Sequence, residues 1–135
     1  MGVLGITAAV TISAMIKNKK KEINELSLNI ERLTHGVSDA RDAVEHYSNT
    51  VSNMNSIIDQ VQIGFKGQAA DSFTQKLIEY RDFCSKRVEQ MNMLIDDYNT
   101  RIIKYDTAKR RGEQALQNLY TALAVSAAEG VMGVI

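Results

Sequence analysis

The side chains able to do covalent or metal chemistry are few: His35 and His46 with Asp42 between them, and one cysteine, Cys84. On a helix, the eleven residues from His35 to His46 span about 16 Å, too far to share a metal ion. Asp42 and His46 are four apart and share a helix face, so together they could touch one divalent ion. Two ligands on an outward face are far more often a solvated ion pair. Cys84 has no partner for an internal disulfide and falls on an apolar stripe, where a small buried thiol is the ordinary reading. Thiolate chemistry would need exposure and a positive neighbourhood. No Ser-His-Asp or Cys-His grouping has local support. The glycine pairs lack both the preceding strand and the Gly-rich pattern that cradles phosphate. The expectation is a protein that is not an enzyme and uses no cofactor or metal.

Charge names no polyanionic partner. Sixteen Lys plus Arg balance sixteen Asp plus Glu. The short basic run of Lys104, Lys109, Arg110 and Arg111 lies near Asp96, Asp97 and Asp106 and reads as a solvated helical face, not a nucleic-acid patch. Tyr80, Tyr98 and Tyr105 recur at helical seam spacing, which suits core or interface anchors better than a ligand cage.

What elements position these residues? With 44% hydrophobic and 24% charged residues, no proline and no tryptophan, the 135-residue chain reads as one all-α domain spanning 1–135. The uncharged run MGVLGITAAVTISAMI precedes the basic stretch KNKKK, the reverse of a secretory signal's order. It is also shorter than the ~20 apolar residues that span a bilayer. Ile6 stands where an acylation signal needs Ser or Thr. The alternative for this run is a peripheral membrane segment, with Lys17, Lys19, Lys20 and Lys21 on headgroups.

From Ile23 the apolar positions step by three and four: Ile23, Leu26, Ile30, Leu33, Val37, Ala40, Val44, Tyr47, Val51, Met54, Ile58, Val61, then Phe65. A strict 3.5-residue repeat predicts a narrow coiled-coil seam. The second half predicts two seams, Phe73–Leu77–Tyr80–Cys84 and Val88–Met91–Ile95–Tyr98–Ile102–Tyr105, joined by a stutter, with Leu94 broadening the stripe.

Between them lies QIGFKGQAADSF, where Gly64 and Gly67 bracket Phe65. Glycine reaches the φ > 0 conformations that end a helix and reverse the chain, so the fold-back is placed at 64–67. Arm one then covers about 7–63 and arm two about 68–128, each roughly 80 to 90 Å long. Asp71 falls in the first turn of arm two, where the helix dipole favours it. Gly36 and Gly112 read as local weak points of continuous helices, at about 1 kcal/mol each. Phe65 has two readings, a plug for the hairpin end or an aromatic presented to a partner. Plugging is favoured for an isolated chain because burying an aromatic is worth a few kcal/mol.

The expected fold is an elongated antiparallel two-helix hairpin with coiled-coil packing. Such a hairpin builds little core for its surface, and a partner would complete a four-helix arrangement. The candidate interface is the broad face of arm two: Tyr80, Val88, Met91, Leu94, Ile95, Tyr98, Ile102 and Tyr105.

The turn resembles a known one. Phe65-Lys66-Gly67 followed by Gln68-Ala69-Ala70-Asp71-Ser72-Phe73 is similar to the Trp-x-Gly turn and second-helix start of the WXG family of small type VII secretion proteins. Phe65 stands in place of the usual Trp, and the chain exceeds the family's roughly hundred-residue length. The family's export signal, Tyr followed four residues later by an acid, is missing at Tyr98, Tyr105 and Tyr120, and Phe83 meets Arg87. The plan therefore looks most like the helical accessory proteins of LXG toxins in Gram-positive bacteria. That resemblance implies Phe65, Gly67, Ala69, Ala70 and Phe73 as motif residues and the N-terminal helical region of an LXG toxin, or a related small helical protein, as partner. It also implies contact with the type VII machinery, and a cytoplasmic location before export or export together with the partner. The competing expectations are a self-dimerising secreted hairpin and a membrane-active protein using its apolar termini, residues 1–16 and 115–135.

Overall fold

A computed structural model describes residues 2–134, with side chains described from 7 to 129. It contains two helices, α1 (Gly2–Gly64) and α2 (Gln68–Val134), packed against each other as an all-α hairpin. The reversal takes three residues, Phe65 to Gly67. The Phe65 amide still donates to the Val61 carbonyl at 2.9 Å, closing the last turn of α1. Gly67 then adopts φ 112°, a conformation L side chains rarely enter. Its carbonyl accepts from the Asp71 amide at 3.1 Å and so starts α2, with Asp71 in the first turn as expected. Both helices continue past the expected arm ends at 7 and 128.

The chain forms two packed units, one of residues up to Arg32 with those from Arg101, the other Leu33–Thr100. In the Leu33–Thr100 unit, α1 contributes Val37, Ala40, Ile58 and Val61 to the buried set and α2 contributes Cys84, the one fully enclosed side chain among the described residues. Every seam position expected in α1 from Ile23 to Val61 is buried or half-buried. Gly36 lies within the helix, and its role is steric: a Cβ there would sit 2.6 Å from Cε2 of the Tyr98 ring. The missing side chain is the slot that admits Tyr98, a function beyond the weak point its type predicts.

In the other unit the seam runs back through Ile23, Lys19, Ile16 and Ile12, with Ile16 buried. Gly112 faces Ile23, whose Cγ1 would lie 3.1 Å from an added Cβ. The Lys20 ammonium sits 5.5 Å from the centroid of the Tyr120 ring. Two residues of the basic run are paired along their own helix, Arg110 with Asp106 at 3.0 Å and Lys109 with Glu113 at 3.9 Å. The outer ends of the expected apolar tip, 1–6 and 130–135, lie outside the residues whose side chains are described.

Two expectations for α2 are corrected. Phe73 and Tyr80 do not lie in the seam; they are 52% and 50% exposed. The inward positions are Ala70, Thr74, Leu77, Arg81, Cys84, Val88 and Met91, all buried or half-buried, in unbroken steps of four and three. There is accordingly no stutter at Cys84. The physical reason is register: once Cys84, Val88 and Met91 fix the inward face, the 3.5-residue repeat carries back to Thr74 and Arg81, one residue beyond each aromatic. Arg81 fits inside because its stem can lie along the seam while its head reaches out. Its guanidinium donates to Asn55 Oδ1 across the hairpin at 3.1 Å and to Asp82 Oδ1 at 3.2 Å.

Candidate partner-binding face

The register that buries Thr74 and Arg81 turns a second stripe of α2 outward. Phe73, Tyr80, Arg87 and Leu94 recur every seven residues on one flank of the seam, the first two exposed and the last two half-buried, with exposed Lys76 and Phe83 between them. Tyr80 and Phe83, three apart on the helix, stack with ring centroids 6.3 Å apart and planes 20° from parallel. The Arg87 guanidinium lies 5.1 Å from the Phe83 centroid and donates to Gln90 Oε1 at 3.3 Å. These contacts run along one helix and hold an aromatic ladder in place while leaving one side of it in water.

At the turn, Phe65 is 66% exposed, which corrects the plugging expectation. Val61 is already buried and a three-residue turn brings Ala70 alongside, so the ring does not enter the seam. Phe65 instead forms one wall of an open, mainly apolar notch of about 320 Å³, with Phe73, Val61, Ala69, Ala70 and Lys66 as the rest of its lining. The motif residues are thus brought together, Phe65 and Phe73 facing one notch and Gly67 making the turn beside it.

Of the other candidate interface residues, Val88, Met91, Leu94, Ile95 and Tyr98 are half-buried within the Leu33–Thr100 unit. Ile102 and Tyr105 are half-buried in the other unit. Most of these are seam residues covered in part by α1; Tyr80 is the one that stands clear. Phe83 was missed by seam reasoning, yet it is 48% exposed and central to the ladder. Its signal was present: counted from Cys84 and Val88 with an uninterrupted repeat, position 83 falls outside the seam on the same flank as Tyr80.

The opposite flank differs in chemistry. There the Arg81–Asn55 bond crosses between helices, and a shallow hollow of about 200 Å³ is lined by Ser48, Val51, Ser85 and Val88. His35 and His46 are both exposed, with His46 edge-on to Tyr47 at 5.8 Å. Among the described residues no group of three or more His, Cys, Asp or Glu side chains is placed to hold a metal ion, and no helix is long and apolar enough to cross a membrane. No family model, curated protein or solved structure matches the chain.

Proposed function

We propose that this chain is a non-enzymatic binding module, a helical hairpin that pairs side by side with a helical partner. The observation that carries the reading is the exposure of all three phenylalanines, Phe65, Phe73 and Phe83, in a chain with only six buried apolar side chains among its described residues.

On the resemblance of the Phe65–Phe73 turn, the partner is the N-terminal helical region of an LXG-type toxin, and the pairing directs it to type VII secretion. The chain works in the cytoplasm before export and travels with its partner or hands it over. Purification of the chain alone and co-expressed with the product of the neighbouring gene, with mass measured by light scattering, tests this. The reading expects a stoichiometric complex with the neighbour. A chain that stays monomeric beside its neighbour, or forms a tight homodimer that excludes it, would sink the reading.

A further inference from the structure

The outward stripe of α2 carries a charge pattern that the hairpin itself does not use. From the turn to Leu94 its positions are occupied by aromatic, aliphatic or amide side chains and three cations, Lys66, Lys76 and Arg87, with no carboxylate among them. Lys76 and Arg87 are eleven residues apart, about 16 Å along α2, and Lys66 lies in the turn before that helix starts. None makes an ion pair among the described residues: the Arg87 contacts are an amide oxygen and a ring, and no carboxylate reaches Lys66 or Lys76. Lys19, Lys109 and Arg110 each meet an acid on their own helix, whereas Lys86, Lys104 and Arg111 are, like the cations of the stripe, without an ion pair among the described residues, so it is the lack of any carboxylate along the stripe that sets it apart.

We infer that the stripe of Phe73, Lys76, Tyr80, Phe83, Arg87 and Leu94 is the docking face for one acidic amphipathic helix of a different protein. The inference rests on the partner-binding reading above and names the chemistry of that partner. Two of its carboxylates lie about three helical turns apart, opposite Lys76 and Arg87, with apolar side chains between them to cover the rings. An apolar anchor enters the notch between Phe65 and Phe73, and Lys66 at its rim takes a carboxylate.

Charge decides against the same stripe of a second copy as occupant. Two such stripes pressed together would set lysines and arginine against lysines and arginine with no acid to separate them, and like charges across an interface are strongly disfavoured. Area supports a single helix: three rings each about half uncovered leave on the order of 300 Å² of aromatic surface, the size of the largest patch on an ordinary monomer. The ladder is also pre-ordered by the Tyr80–Phe83 stack and the Arg87 contact, which lowers the ordering cost of binding.

The test uses the full chain in the cells it comes from, with the photo-crosslinking residue p-benzoylphenylalanine replacing Tyr80 in one variant and Ser85, on the polar flank, in another. Crosslinked segments are identified by mass spectrometry, and the Tyr80 variant is repeated with K76E and R87E together. The expected result is a Tyr80 crosslink to a helix bearing carboxylates ten or eleven residues apart, lost at least about tenfold on charge reversal and weak from position 85. Lys76 is exposed and Arg87 half-buried, and an unchanged helical circular dichroism spectrum separates lost binding from lost folding. A crosslink from 85 but not from 80, a basic or neutral captured segment, or indifference to K76E and R87E would overturn the face while leaving partner binding in place. Crosslinks only to other copies of the chain, or none from either position, would overturn both.

Discussion

Phe73 and Thr74 are neighbours in the chain and opposite in fate, as are Tyr80 and Arg81, and Phe83 and Cys84. In each pair the second residue is the smaller or more polar, and it is the one that faces α1; the first is aromatic and faces water. Within the Leu33–Thr100 unit the seam of α2 therefore holds Thr74, Leu77, Arg81 and Cys84, whereas the rings that would bury most surface lie one residue away. Hydrophobicity of single positions does not select the inward face here. The register fixed by Cys84, Val88 and Met91 does, because a one-residue rotation of the whole helix would expose all three to bring the aromatics in. Tyr80 and Phe83 are held along α2 by their own contacts, and all three rings stand beside the seam, not in it.

The sharpest way to break this comparison is to place the same charge on each side of it. Cys84→Asp buries an unpaired carboxylate and is expected to cost about 3–5 kcal/mol, enough to unfold an isolated hairpin. Phe83→Asp is expected to change stability by no more than about 0.5 kcal/mol. Urea unfolding followed by circular dichroism checks both, and similar costs would erase the distinction between the stripes.

A second pair sharpens the same contrast in α1. Ile58 is buried and Ile57 is 36% exposed. Ile58→Ala is expected to lose about 2–4 kcal/mol, and Ile57→Ala less than about 1 kcal/mol.

Smallest is the glycine pair. Gly36→Ala drives a methyl into the Tyr98 ring, an overpacking cost of about 1–3 kcal/mol only partly offset by about 1 kcal/mol of helix propensity, so a net loss of about 1 kcal/mol is expected. Gly64 has nothing within 4 Å of an added Cβ, so Gly64→Ala is expected to be neutral or stabilising by up to about 1 kcal/mol. Thermal melts of the two variants moving in opposite directions would confirm that Gly36 is there for Tyr98.

These pairs also mark what could be read before the fold was known. The α1 seam was legible from Ile23 to Val61 because β-branched and aliphatic residues hold one 3.5-residue phase with no competing aromatic beside them. The turn was legible because Gly64 and Gly67 coincide with the midpoint, and Gly67 does supply the positive φ. The start of α2 misled because Phe73 and Tyr80 offer a second, more apolar stripe one position off, and choosing it required an inserted four-residue step at Cys84. The cost of that step was itself the clue, since Thr74 and Arg81 remove it. Phe65 misled for a related reason: the value of burying a ring says nothing about whether the seam beside it is already filled, as it is here by Val61. The place of Gly36 under Tyr98 depends on which residues of two antiparallel helices come level, and that pairing is set by the turn, not by either helix's own period.

The central claim, that the aromatic stripe of α2 faces water while the seam beside it is sealed, is tested most directly by thiol labelling of two adjacent positions in the isolated chain. Native Cys84 is compared with a Phe83→Cys, Cys84→Ala variant, each exposed to a chromogenic disulfide reagent under folding conditions. The account predicts that the thiol at 83 reacts at the rate of a free cysteine and that Cys84 is slower by at least about a hundredfold, reacting only as the hairpin opens. A protected thiol at 83, or a Cys84 that reacts as fast as its neighbour, would contradict it.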